Sequence, residues 1–244
     1  MRRVLGFILS PIHHLLFFFF LGIFHPIQWL SLKLGGYAAH KKSVDILNFF
    51  LISSYYAVGC AVSFKNQFDL PTDRPIIFTA NHQSMYDIPP LIWFLRKHHA
   101  KFISKIELTK GIPSISFNLK HGGGANIDRS DKKQSVVEIL KLGIRMQQNN
   151  WSAVIFPEGT RSKNGKMKEF QVGGIATILK KAPDALIVPI AIENSWRMVR
   201  YGLVWLNTFV SMKFTVLQPI EPGDKAFEDL VKEAEDTIKR VVEH

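Results

Sequence analysis

Apolar residues are distributed along this chain in two ways, and the change comes near residue 65. Residues 4–32 contain no Asp, Glu, Lys or Arg and have Leu15-Leu16-Phe17-Phe18-Phe19-Phe20-Leu21 at their centre. A second uncharged stretch covers residues 46–64. Each is long enough, against the roughly 20 residues needed, to cross a bilayer core as a helix. After Lys65 the apolar runs shorten and alternate with amphipathic segments. Strands are predicted at 76–80, 101–104, 125–128, 153–156, 186–193 and 210–216. One helix is predicted from about 130 to 148 with Val137, Leu140 and Ile144 as its apolar stripe. Another, from about 225 to 242, carries Phe227, Leu230, Ala234, Ile238 and Val241 on one face. Alternation of strands and helices predicts an α/β fold, a mixed, mostly parallel sheet covered by helices. The expected organisation is a membrane-associated two-helix segment over 1–65 and an α/β domain over 66–244.

Charge refines the reading of the first part. If both apolar segments crossed the bilayer, the connector bearing Lys33, His40, Lys41 and Lys42 would face away from Arg2 and Arg3, against the positive-inside tendency. If both enter and leave one leaflet, all these cations meet the same anionic surface. The monotopic arrangement at the cytoplasmic-side membrane surface is the favoured expectation, with two spans as the alternative. A cleaved signal peptide fits less well, because the first apolar run exceeds the usual 7–15 residue core. The chain as a whole has 31 Lys plus Arg against 20 Asp plus Glu, a formal charge of +11. That excess suits anionic lipid or acidic partners. It could equally suit nucleic acid, but no zinc-finger spacing, helix-turn-helix signal or RNA-stacking block accompanies it, so no nucleic-acid partner is expected. Cys60 is the only cysteine, which excludes an intrachain disulfide and a cysteine metal cluster.

Two polar runs follow predicted strands. The first, Asn81-His82-Gln83-Ser84-Met85-Tyr86-Asp87, sets a carboxylate five residues after a histidine. A turn between them would pair the two, fixing the imidazole tautomer and leaving the other ring nitrogen free to take a proton from a hydroxyl. The bland alternative is a structural histidine and a helix-capping aspartate. The second run, Phe156-Pro157-Glu158-Gly159-Thr160-Arg161-Ser162, ends the strand predicted at 153–156, where open α/β sheets bind ligands. Ser84 has no Gly-x-Ser-x-Gly elbow around it and reads as a local hydrogen-bonding or helix-start residue. Gly122-Gly123-Gly124 lacks the Gly-Lys-Ser/Thr ending of a nucleotide loop and reads as a flexible turn.

Together the runs resemble the NHxSxxD and FPEGTRS motifs of the glycerolipid acyltransferase family. Two weaker blocks, around Gly123 to Arg129 and Val188 to Ile192, occur in the family's order. The resemblance implies transfer of a fatty acyl group from a thioester, acyl-CoA or acyl-ACP, to the sn-2 hydroxyl of lysophosphatidic acid, giving phosphatidic acid. It implies His82 as general base, Asp87 as its orienting partner and Lys105 as a cation near the developing oxyanion. Glu158, Gly159, Thr160 and Arg161 would shape the acceptor site, with Arg129 as a second cation for phosphate. No cofactor or metal is required; membrane lipids, and an acyl carrier protein if it is the donor, are the implied partners. Asn126, at a usually apolar position, and Gln171, where a basic residue is common, depart from the pattern. Another lyso-lipid acceptor, a thioesterase or lipid hydrolase, and a non-catalytic lipid-binding module stay open on the residues alone.

Overall fold

A computed structural model describes residues 2–243, and side chains from residue 4 onward. The charges of Arg2 and Arg3, used above to orient the apolar segment, lie outside the described side chains. The chain opens with helix α1, Arg2–Tyr55, which is interrupted at Gly36 (φ 64°, ψ −159°). A positive φ costs glycine nothing and any other residue a steric clash, so the helix reverses there. The two arms run back along each other: Phe20 and Phe50 rings lie 5.0 Å apart, and His13 Nδ1 hydrogen-bonds the Ser54 carbonyl at 2.9 Å. By length and composition α1 could cross a membrane.

The second apolar stretch is helical only to Tyr55. After a 3₁₀ turn, Tyr56–Val58, and a left-handed Gly59, the chain enters strand β1, Ala61–Lys65. The prediction of one uncharged membrane segment to residue 64 is thus corrected, and the sheet begins before residue 66. Alternation in Ala-Val-Ser-Phe-Lys marks a half-buried edge strand, which a scan for uncharged length does not detect.

The remaining strands are β2 (Ile76–Ala80), β3 (Ala100–Lys105), β4 (Ala125–Ile127), β5 (Ser152–Ile155), β6 (Leu186–Glu193) and β7 (Ser211–Val216). Among the described residues they form one seven-stranded sheet, ordered β1-β7-β6-β2-β5-β3-β4. All neighbours are parallel except β6 and β7. The predicted mixed, mostly parallel sheet is what forms. Pairings Phe78↔Val154 and Phe102↔Val154 bring the carboxyl ends of β2, β5 and β3 to one level.

Each sheet face has its own core. Ile76, Phe78, Val188 and Ile190 pack with Leu21, Leu51 and Tyr55 of α1 and Leu91 of α2 (Ile88–Phe94). Ile77, Ala153, Ile187 and Ala191 pack under α4 (Lys132–Asn149), α5 (Val172–Leu179) and α7 (Phe227–Val242). The α1 hairpin therefore serves as part of a covering layer, together with α2 and α3 (Ile115–His121). It touches the α/β body along its length: Ser10 at Leu206, His13 at Tyr86, Leu21 at Ser114 and Tyr37 at Trp151.

The predicted stripe of α4 is on the wrong side. Val137 and Ile144 are exposed, while Ile139, Leu142, Gly143 and Met146 are buried. Both sets have helical spacing. Gly143 decides between them, because a Cβ there would lie 3.0 Å from the Ile178 carbonyl oxygen, so α4 meets α5 through its glycine side. The stripe predicted for α7 does face the core, through Leu230, Ala234 and Ile238.

Candidate active site

The site assembles where β2 and β5 end. Asn81 finishes β2 with a side-chain amide that imitates strand pairing: Nδ2 donates to the Ile192 carbonyl at 2.8 Å and Oδ1 accepts from Ile192 N at 2.7 Å. The next residue, His82, is thereby anchored to β6 as well as to its own strand. Ser84 then caps a 3₁₀ turn, Met85–Asp87, accepting from Tyr86 N at 3.1 Å, and this turn swings Asp87 back toward the strand end. Ser84 is a helix-start residue, as its sequence context predicts, and is buried.

The turn brings His82 Nδ1 to 2.8 Å from Asp87 Oδ2. The same oxygen accepts the backbone N–H groups of Gln83 at 2.8 Å and Ser84 at 2.9 Å, and Oδ1 accepts the Ser84 hydroxyl at 3.3 Å. Asp87 is fully buried, and four donors compensate for the water it has lost. Because a carboxylate only accepts, the proton belongs on His82 Nδ1, and Nε2 carries the lone pair. Asp87 pairs with His82 and closes the capping box of its own 3₁₀ turn through Ser84 N, but it makes no side-chain cap to α2, the helix that follows it.

Phe156 lies flat against the His82 ring, centroids 3.9 Å apart and planes 15° from parallel. The second run then turns at Gly159 (φ 69°), whose N–H returns to the Phe156 carbonyl at 3.0 Å. Ser162 N donates to the His82 carbonyl at 2.7 Å, so the two runs are hydrogen-bonded directly.

Glu158 takes a position the sequence does not suggest. It is buried, with Oε1 accepting His82 N at 2.7 Å and Oε2 accepting Lys168 N at 3.0 Å. Burial pushes its carboxyl above the ordinary range, opposed by those two N–H donors. The carboxylate joins the histidine's backbone to the far side of its own loop. Lys168 Nζ also reaches Thr160 Oγ1 at 2.6 Å and the Arg161 carbonyl at 3.3 Å, closing the loop from outside.

Lys105, at the end of β3, Arg129, just past β4, and Gly159, Thr160 and Arg161 are exposed at this same edge of the sheet. Among the described residues, none of Lys105, Arg129 and Arg161 forms a hydrogen bond or ion pair with His82 or Asp87. The sequence reading passed over Asn81, Phe156 and Lys168 as participants. The first two stand inside the quoted runs, where position alone marked them; Lys168, six residues beyond the second run, carried no signal. Of the two departures, Asn126 packs locally, its Nδ2 donating to the Leu119 carbonyl at 2.6 Å, and Gln171 precedes α5 without a side-chain cap.

Several known acyltransferases are similar to this chain. A chloroplastic 1-acyl-sn-glycerol-3-phosphate acyltransferase of Arabidopsis thaliana is 30% identical over 159 residues, covering 65% of this chain and 43% of its own. A 1-acyl-sn-glycerol-3-phosphate acyltransferase of Helicobacter pylori is 37% identical over 123 residues, 49% of this chain and 48% of its own. The chain thus spans about half the length of the curated relatives it matches. The crystal structure of a 1-acyl-sn-glycerophosphate (LPA) acyltransferase, PlsC, from Thermotoga maritima shares the fold, with a TM-score of 0.81 at 24% identity, covering 100% of this chain and 97% of that one. The Acyltransferase family model matches residues 61–193, from the edge strand β1 through the dyad and the 156–162 loop to the end of β6, and the chain belongs to that family.

Proposed function

We propose that the protein transfers a fatty acyl group from an acyl thioester to the sn-2 hydroxyl of lysophosphatidic acid. The observation that carries this reading is the 2.8 Å contact between His82 Nδ1 and a buried, four-donor Asp87 carboxylate, which leaves an oriented basic Nε2 at the carboxyl edge of the sheet. His82 Nε2 takes the proton of the acceptor hydroxyl as its oxygen attacks the thioester carbonyl. The carbon–oxygen bond forms, the carbon–sulfur bond breaks, and the departing thiolate recovers the proton from His82. Asp87 keeps the imidazole in one tautomer and stabilises the imidazolium formed in between. No acyl-enzyme is required, in keeping with the buried capping role of Ser84.

Arg161 and Arg129 supply the cations for the acceptor phosphate, with Gly159 and Thr160 lining that loop and Lys105 the charge for the oxyanion. Glu158 acts in this reading by holding the His82 backbone. Similarity to 1-acyl-sn-glycerol-3-phosphate acyltransferases supports the acceptor class. Acyl-CoA and acyl-ACP are both anionic, and the net charge of +11 suits either.

The hairpin supports a monotopic attachment. Its first arm meets the α/β body near residue 10 and its bend meets the same body at Trp151, so both ends lie on one side. An outward stripe of Val4, Ile8, Ile12, Leu15, Phe19 and Ile23, at intervals of three or four, is left for one leaflet.

The test follows free thiol release from an acyl thioester with and without lysophosphatidic acid, beside His82→Ala. Release that needs the acceptor and is abolished by the substitution supports the transferase. Release without acceptor makes the protein a hydrolase, and no release from either donor leaves a lipid-binding module.

A further inference from the structure

The segment 199–209, between α6 (Ser195–Met198) and β7, is left unused by the chemistry above. It exposes Tyr201, Leu203, Val204, Trp205 and Phe209, with Val204 62% accessible. Soluble surfaces scatter such side chains singly; a run of them marks a contact surface.

The loop is seated firmly. A Cβ on Gly6 would lie 2.3 Å from the Leu206 carbonyl oxygen, so only a glycine lets the arm and loop backbones approach so closely. One turn later, Ser10 Oγ accepts Leu206 N at 2.8 Å while donating to the Gly6 carbonyl at 2.6 Å. His14 Nε2 donates to the Val204 carbonyl at 3.0 Å, and the Phe7 and Trp205 rings sit 4.8 Å apart. Successive turns of the first α1 arm therefore grip the loop, and the exposed Phe7 and Trp205 rings meet at the margin between its apolar side chains and the arm's exposed face. Charge points the same way. Between Glu193 and Glu221 the chain has no acidic residue, while Arg197 and Arg200 immediately precede the apolar run. Aromatic side chains beside arginines suit the headgroup boundary of an anionic bilayer.

We propose that the 199–209 loop is a second membrane-inserting element, entering the same leaflet as the hairpin and sharing its plane. The inference rests on the monotopic reading above. It adds that the membrane contact extends beyond the two-helix segment to the strap beside α6, where Ser195 Oγ and Trp196 N contact Gln83 Oε1, next to His82. The leaflet is thereby held against the edge of the sheet that carries the dyad, and a lysolipid can reach His82 without leaving it.

The test uses the full chain with single substitutions Val204→Cys, Leu15→Cys and Lys232→Cys, each carrying an environment-sensitive fluorophore. Cys60 stays in place, since burial pushes its thiol up to about 11 and keeps it unreactive at labelling pH. Vesicles of phosphatidylcholine with phosphatidylglycerol are added, and quenching by a chain-borne nitroxide lipid is compared with quenching by aqueous iodide. The expected result is lipid quenching at 204 and 15 and iodide quenching at 232, on the outward face of α7. Lipid quenching at 15 with iodide quenching at 204 overturns the inference and leaves the monotopic reading standing. Protection of 204 from both quenchers overturns it in favour of a second copy of this chain on the loop. Iodide quenching at both 15 and 204 removes the membrane reading and this inference together.

Discussion

The two edges of the sheet each hold a nitrogen base against aromatic side chains, yet only at one is a single ring nitrogen fixed and the other left unbonded. At the carboxyl edge His82 lies against Phe156 and is held through Nδ1 alone. At the amino edge Lys101, early in β3, hydrogen-bonds Tyr37 Oη and lies 4.9 and 4.6 Å from the Tyr37 and Trp151 ring centroids. Arg145 beside it is held by the Gly123 and Gly124 carbonyls, each at 3.1 Å. The difference follows from chain direction. Strands that end at one edge lead into helix and turn N-termini, whose free N–H groups gather carboxylates such as Asp87. The other edge receives helix C-termini, whose carbonyls gather cations. A carboxylate can orient an imidazole and leave its far nitrogen open; carbonyls, a phenol and ring faces hold a cation in place without orienting a free nitrogen. A carboxylate-paired histidine at one edge and braced cations at the other are consequences of one polarity.

The largest break in this comparison comes from His82→Ala. Turnover should fall on the order of 100-fold to 10,000-fold in the thioester assay, with vesicle binding retained. Retained turnover would show that the carboxyl edge holds no base. Asp87→Asn keeps the shape but can donate to His82 Nδ1, which favours the wrong tautomer. A loss of about 100-fold or more is expected in the same assay, with little change in the acceptor KM. Arg161→Ala should raise KM for lysophosphatidic acid by roughly 10-fold to 100-fold, from the loss of charged hydrogen bonds. Its effect on a phosphate-free lyso-lipid should be small, and an equal effect on both would remove the phosphate role.

Asn81→Ala tests bracing at the catalytic edge. It leaves the buried Ile192 N–H and carbonyl unpaired, costing about 1–3 kcal/mol per unsatisfied group, read as a lower Tm. The smallest effect on turnover belongs to the amino edge. Burial first, with Lys41 and Arg145 adding and Asp45 opposing, lowers the Lys101 pKa to about 7. The unfolded chain holds that proton to the ordinary lysine value, about 10.4. Between these values the unfolded state binds more protons, so Lys101 makes stability rise with pH from about 7 to 10. Lys101→Met should flatten that rise in a Tm series and leave turnover at pH 7 nearly unchanged. A catalytic loss like that of His82→Ala would erase the distinction between the edges.

Much of this contrast can be read in the chain itself. β2 and β6 have the boundaries their apolar runs predict, because both are buried on two faces and their hydrophobicity is nearly continuous. The His82–Asp87 pairing is legible because the five-residue separation lies within one local turn. Features that need a partner distant in sequence are not. The family resemblance implies an acceptor-site role for Glu158, and only the chain crossing 76 residues away makes it a clamp on His82 N. The buried side of α4 is undecidable between two apolar stripes until α5 approaches Gly143.

The amino-acid sequence by itself determined the alternating α/β order, the dyad and the apolar character of the first segment. These rest on periodicity, local turns and composition, each set within a few residues. Only the tertiary structure decided that the two apolar helices lie along the α/β body, that β1 closes the sheet's edge, and that the 199–209 loop docks on Gly6 and Ser10. Those outcomes depend on which buried surfaces fit one another across long chain separations, and shape complementarity between distant segments leaves no periodic trace in either.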